Sequence, residues 1–141
     1  GQLRNGQGFC LQIKGEPWEG ATLQQRRCSG AGTQHAHTQY WKRLPDGRLQ
    51  SGANPDLCIG VTETALKPYQ RLQLISCFSD QALRWQHGNN LSLRAQADPT
   101  LALHIAFSTL GPNMPATLGR FNASPAQAWM WIRRPALSES P

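Results

Sequence analysis

Apolar positions in this chain fall into a short phrase that recurs three times. The first copy places Leu3-Arg4 ahead of Cys10-Leu11-Gln12-Ile13, then Leu23-Gln24 with Cys28, then Gln39-Tyr40-Trp41. The second runs Leu49-Gln50, Cys58-Ile59-Gly60-Val61, Leu72-Gln73 with Cys77, and Leu83-Arg84-Trp85. The third runs Leu93-Arg94, Ala102-Leu103-His104-Ile105, Leu118-Gly119 with Ala123, and Gln127-Ala128-Trp129. A fixed order of short apolar runs at a period of roughly 20 to 50 residues marks a repeat architecture. The repeats cover about residues 1–48, 49–92 and 93–134, and residues 135–141 form a polar, proline-flanked tail.

Within each repeat the pattern predicts short strands punctuated by turn residues. Phe9 to Ile13, Leu23 to Cys28 and Tyr40 to Leu44 are strands of the first repeat. Leu57 to Val61 and Leu72 to Cys77 follow in the second. Leu101 to Phe107, Leu118 to Phe121 and Trp129 to Ile132 follow in the third. Pro45-Asp46-Gly47 and His87-Gly88-Asn89-Asn90 are turns between repeats. Ser29 to Thr38 is an insertion that the other repeats lack. Strands of this length, with turns about every 8–12 residues, indicate an all-β sandwich or barrel. Threefold repetition favours three equivalent four-stranded units around a pseudo-threefold axis, with Trp41, Trp85 and Trp129 in one shared core.

Composition fits this picture. The 141 residues suffice for one domain; 39% are hydrophobic and 16% charged, and Gln, Asn, Ser, Thr and Gly fill the remainder. That mixture suits short strands and turns better than long helices. The net charge of +6 favours anionic partners. The positives are scattered, however, and do not form the basic stripe interleaved with aromatics that nucleic acid requires. No run of about 18 apolar residues is present to span a membrane. No basic start followed by an apolar run marks a signal peptide, so the expectation is a domain cut from a larger secreted precursor.

Four cysteines allow three connectivities. Cys10 and Cys28 stand 18 positions apart, Cys58 and Cys77 stand 19 apart, and only this pairing treats both repeats alike. Two disulfides, Cys10–Cys28 and Cys58–Cys77, are expected, and with them an oxidising compartment. A zinc site fits poorly, since no Cys-x-x-Cys is present. His35 and His37 have metal-like spacing on a strand, yet no third ligand stands near them. No metal or cofactor is expected.

These elements resemble the ricin-type lectin family. Its signals are a Cys-Leu-Asp-Val run, a Leu-Gln-x-x-x-Cys strand and a Gln-x-Trp element in each repeat. Gln39-Tyr40-Trp41 and Gln127-Ala128-Trp129 match the last of these, while Leu83-Arg84-Trp85 keeps the Trp and loses the Gln. The resemblance implies a β-trefoil and a secreted sugar-binding module joined to a larger protein, such as a pore-forming haemolysin. Its partners would be cell-surface glycoproteins or glycolipids of galactose or N-acetylgalactosamine type. The membrane would be reached only through those glycans, and oligomerisation with the parent protein would supply avidity.

In the family, the Asp of Cys-Leu-Asp-Val accepts bonds from sugar hydroxyls, and an aromatic two positions before the second cysteine stacks on the ring. Here the first position holds Gln12, Gly60 and His104, and the second is assigned to Arg26, Ile75 and Phe121. The second repeat has neither group, and its pocket is expected to be dead. The third repeat is the leading site: His104 for hydrogen bonding, Phe121 for stacking, Asn122 as donor and acceptor, Gln127 at the pocket floor. The first repeat is the weaker site, with Gln12, Arg26 and Gln39, and with Trp18 offering a face from the preceding turn. Arg26 with His35 and His37 points to an acidic sugar there.

Two other functions compete. A trefoil that has lost sugar binding would serve as an assembly or receptor-binding subunit of a toxin, and the missing Asp residues favour it. Catalysis would need paired carboxylates or a nucleophile with its base. The acids Glu16, Glu19, Asp46, Asp56, Glu63, Asp80, Asp98 and Glu139 sit mainly in turns at non-equivalent positions. The chain is therefore not expected to be an enzyme.

Overall fold

The computed structural model describes residues 1–30, 33 and 36–132. His35 and the predicted tail at 135–141 lie outside the described residues. Among the described residues twelve strands run in chain order: β1 (Gln2–Asn5), β2 (Phe9–Ile13), β3 (Leu23–Arg27), β4 (Trp41–Arg43), β5 (Leu49–Ser51) and β6 (Leu57–Gly60). They continue with β7 (Gln73–Ser76), β8 (Trp85–His87), β9 (Leu93–Ala95), β10 (Asp98–Ile105), β11 (Ala116–Arg120) and β12 (Trp129–Ile132). Helical structure among the described residues is confined to single 3-10 turns, one of them at Ala36–Gln39. No helix of the described residues is long and apolar enough to cross a membrane.

The strands form three four-stranded antiparallel sheets, ordered β12-β1-β2-β3, β4-β5-β6-β7 and β8-β9-β10-β11. Each sheet therefore takes its first strand from the preceding repeat, so the sequence repeat and the sheet are offset by one strand. The offset closes the ring, because β12 of the third repeat pairs with β1 of the first, Gln2 opposite Ile132.

The core follows from alternation along the strands. Leu11 and Ile13, Ile59 and Val61, and Leu103 and Ile105 point inward from equivalent places and are 2% exposed or less. Leu3, Leu49 and Leu93 join them, with Trp41, Trp85 and Trp129 at the centre. Full burial of one such large apolar side chain contributes about 1.5–3 kcal/mol. Trp41 and Trp129 also donate their indole N–H to the carbonyls of Leu11 and Leu103, at 3.1 and 3.0 Å. The third long strand ends sooner than the apolar run suggests. Phe107 turns into the left-handed region (φ 57°) and is exposed.

A second ring ties the three long hairpins together. Leu74 exchanges backbone bonds with Gly20 and Ala21 (2.7 and 2.9 Å), and Leu118 with Tyr69 and Gln70 (2.8 and 2.9 Å). Gln25 does the same with Asn113 and Met114 (2.8 and 3.0 Å). Each hairpin is thus stitched to the loop that leads into another. Gly20, Tyr69 and Asn113, the three donors to these carbonyls, all have positive φ.

Both disulfides form, Cys10 to Cys28 and Cys58 to Cys77, each with a Cα–Cα distance of 4.9 Å.

Candidate functional site

Strand register fixes which residues are equivalent. Gln12 lies opposite Gln24, Gly60 opposite Gln73 and His104 opposite Thr117. Two residues back on the paired strands, Cys10 lies opposite Arg26, Cys58 opposite Ile75 and Ala102 opposite Gly119. The third-repeat counterpart of Arg26 and Ile75 is therefore Gly119, and Phe121 stands at the position of Cys28 and Cys77. The expectation that aligned Ala123 with the cysteines is two residues out of register. Ala102 and Phe121 take the place of a third disulfide, and the Phe121 ring lies under the Arg94 guanidinium, 3.6 Å from its centroid.

The Gln-x-Trp glutamines do the same work in two repeats. Gln39 donates from Nε2 to Gln12 Oε1 (2.7 Å) and to the Arg27 carbonyl (2.9 Å). Its Oε1 accepts from the Ser29 amide (2.9 Å) and from Gln2 Nε2 (2.7 Å). Gln127 repeats the pattern: Nε2 reaches the Arg120 carbonyl (2.7 Å) and His104 Nδ1 (3.2 Å), and Oε1 accepts from the Asn122 amide (2.9 Å). Both glutamines are buried. They form the floor beneath Gln12 and His104.

The first repeat opens into a cleft of about 570 Å³ lined by Gln12, Ile13, Lys14, Gly15, Glu16, Gln24, Arg26, His37, Thr38 and Asn113. Gln12 is 8% exposed and spends its Oε1 on Gln39, which leaves its Nε2 donors for the cleft. Arg26 reaches across the rim and donates from Nη1 to Asn113 Oδ1 at 2.8 Å. Trp18, expected to add a face here, is exposed on its turn and does not line the cleft. Gln39 lies behind Gln12 and does not line it either. Asn113, 87 positions from Arg26, is a site residue to which no sequence motif points. Its equivalence to Gly20 and Tyr69 emerges only from the backbone ring.

In the third repeat, His104 rests on the bare backbone of Gly119, where an added Cβ would come within 2.7 Å of the imidazole. The Arg120 carbonyl and the Asn122 amide orient Gln127, so its Nε2 presents a hydrogen to His104 Nδ1. That nitrogen accepts, and the ring proton is on Nε2. Burial holds the imidazole below its ordinary value of 6.5, in keeping with the neutral form. Asn122 uses its Oδ1 in a local turn with the Ser124 amide (2.9 Å). The four expected residues therefore divide: His104 and Gln127 meet, Asn122 joins them through its backbone, and Phe121 packs against Arg94.

In the second repeat, backbone fills the space over Gly60. Leu83 replaces the glutamine, and the chain there lies along β6: Val61 donates to the Gln81 carbonyl (3.3 Å) and Leu83 to that of Ile59 (3.1 Å). A Cβ on Gly60 would overlap the Gln81 carbonyl oxygen. Pairing of Leu83 with Ile59 also leaves the Trp85 indole N–H without a partner among the described residues.

No group of three metal-ligating side chains occurs among the described residues. The ion pairs among them are Arg48–Asp46, Lys67–Glu63 and Arg84–Asp46, and none involves a residue that lines the first-repeat cleft.

Solved structures with this architecture include the C-half of an earthworm R-type lectin in complex with GalNAc. That pair has a TM-score of 0.76 at 17% identity and covers 92% of this chain and 94% of the other. The β-trefoil lectin of the Vibrio vulnificus hemolysin/cytolysin, with N-acetyl-D-lactosamine bound, gives a TM-score of 0.68 at 17% identity, covering 94% and 95%. The Rhizoctonia solani agglutinin gives 0.69 at 20% identity, covering 92% and 91%. At these identities the likeness is one of fold. No curated protein matches the chain in sequence. The family profile of the ricin-type beta-trefoil lectin domain matches residues 1–131, and on that match the chain belongs to the ricin-type β-trefoil lectin family.

Proposed function

We propose that this lectin domain binds glycans through the cleft of its first repeat, with the third repeat as a second position. The observation that carries the reading is the Gln12 amide. It is almost fully buried, is oriented by Gln39, and has donors left over facing a cleft of sugar size. A fixed polar group of known direction at the bottom of a cleft is what separates one hydroxyl pattern from another. Gln24 and Thr38 add further polar groups beside it.

In the third repeat the offered groups are His104 Nε2–H, on an imidazole seated over Gly119, and the exposed Tyr69 ring. Tyr69 occupies the place that Asn113 holds beside Arg26. Tyr69 is an apolar face that Phe121, packed against Arg94, does not provide.

A terminal galactose or N-acetylgalactosamine is the starting ligand, in line with the GalNAc and N-acetyl-D-lactosamine held by the earthworm and Vibrio lectins. The physiological role is attachment of a larger secreted protein, such as a toxin, to cell-surface glycans. Two disulfides suit that compartment. A shallow single site binds weakly, and copies on an oligomeric parent would add avidity.

A glycan array with wild type, Gln12→Ala and His104→Ala tests this, with circular dichroism as the folding control. Loss of signal in Gln12→Ala, with most of it retained in His104→Ala, is expected. The reverse result would move the principal site to the third repeat. A silent array for folded wild type would sink the lectin reading and leave the toxin-assembly role.

A further inference from the structure

We infer that the first-repeat cleft selects an acidic glycan, one that carries a carboxylate or a sulfate beside its hydroxyls. The inference rests on the glycan-binding reading of the same cleft and adds the charge of the ligand.

Among the described residues four ionisable side chains line the cleft: Lys14, Arg26 and His37 against Glu16. Two permanent cations thus face one carboxylate, and none of these groups belongs to an ion pair of the described residues. With Glu16 offsetting one of them, Lys14 and Arg26 leave an excess of one positive charge, unpaired among the described residues, in a concave polar site. Field lines concentrate in such a place and draw anions into it.

Arg26 is also oriented. Among the described residues its guanidinium donates once, to Asn113 Oδ1, a neutral acceptor that fixes direction without cancelling charge. Asn113 is held in turn by its backbone bond to the Gln25 carbonyl at 2.8 Å. The Gln25 side chain anchors the rest of that loop, donating to the carbonyls of Ser108 (2.8 Å) and Gly111 (2.7 Å). The remaining guanidinium donors form a pre-set fork of the kind that matches a carboxylate or sulfate. The register-equivalent positions hold Ile75 and Gly119, so the cation is peculiar to this cleft. Gln12 at the base addresses hydroxyls while Arg26 and Lys14 at the rim address an anion, a division of labour that fits one sugar bearing both.

The test is titration of the intact chain, by calorimetry or NMR, with N-acetyllactosamine, its sialylated form and its sulfated form. Measurements run at about 0.02 and 0.3 M salt, where screening of an exposed pair differs most. At least one acidic form should bind about tenfold more tightly or better than the neutral parent at low salt, as a charge-assisted bond allows. That ratio should shrink at high salt. It should fall to about one in Arg26→Gln and be partly kept in Arg26→Lys, which retains the charge but not the fork. Preference for the sialylated form alone assigns a carboxylate, and for the sulfated form alone a sulfate. Equal binding of neutral and acidic forms overturns the inference and leaves glycan binding standing. Binding of none of the three by folded protein overturns both.

Discussion

Gln25 and His104 show how single buried polar residues set the two sites. Gln25 occupies the place of Leu74 and Leu118 and is equally buried, at 0% exposure. A buried amide costs free energy unless its groups are bonded. Here Asn5 Nδ2 donates to its Oε1 at 2.9 Å, and Nε2 holds the loop that carries Asn113. His104 makes the opposite trade, since its burial favours the uncharged ring. With the folded pKa lowered, the unfolded chain binds the proton more readily. His104 therefore contributes stability that is intact above its ordinary value of 6.5. That stability falls as pH drops through 6.5 and levels off below the folded value. Protonation would also turn Nδ1–H against the Gln127 amide, removing the bond that orients both groups. Urea unfolding of wild type and His104→Gln between about pH 5 and pH 7.5 measures this. Wild type is expected to lose more stability than the variant on going to the lower pH; equal losses would place the neutral ring's role elsewhere.

At the scale of elements, the third long hairpin is a disulfide hairpin without its disulfide. Ala102 and Phe121 stand 19 positions apart, as Cys58 and Cys77 do, and occupy the same places on their strands. The double substitution Ala102→Cys with Phe121→Cys is expected to oxidise to a bridge. Closing a loop of that length contributes about 3 kcal/mol in the chain-entropy model. The same substitution removes the cation–π pair of Arg94 with Phe121, worth about 0.5–1 kcal/mol where exposed. A net rise in urea midpoint, abolished by reductant, is the expected reading; a rise that survives reductant would locate the gain elsewhere. The same hairpin shows where the sequence stops being legible. Strands β2, β6 and β10 are plain in it, because Leu, Ile and Val alternate into one core, and the two cysteine pairs fix the first two hairpins. Without cysteines, Leu118-Gly119 supplies no anchor, and the repeat pattern places the motif two residues late. The closure of the second pocket is partly legible, from Gly60 and Leu83. That a backbone pairing fills the gap is not, since it depends on the path of residues 81–83. Asn113 is invisible for a simpler reason: its partner Arg26 belongs to another repeat.

For the whole molecule, the two rings decide how the repeats share stability. In an open array of repeats each unit touches only its neighbours, and ends can unravel first. Here β12 returns to β1, and the Leu74, Leu118 and Gln25 bonds join the hairpins around the axis. No repeat is terminal, and no core tryptophan can leave without opening a sheet that another repeat completes. Trp41, for example, begins β4, which pairs with β5 of the second repeat. The disulfides are unevenly placed over this frame, one in each of the first two repeats and none in the third. Independent repeats would respond to reduction separately: the first two would weaken by about 3 kcal/mol each, and the third would not change. A closed ring would instead spread the loss, so that the whole domain unfolds earlier but still in one step. Urea unfolding with and without reductant, followed by tryptophan fluorescence and far-ultraviolet circular dichroism, separates the two. Coincident transitions under both conditions, with the midpoint lowered by reductant, are expected for the ring. Transitions that split on reduction, with part of the strand signal unfolding at the original midpoint, would show the third repeat standing alone. That would also loosen the loop that carries Asn113 to Arg26. The first-repeat cleft depends on that loop, so its integrity is tied to the closure of the whole ring.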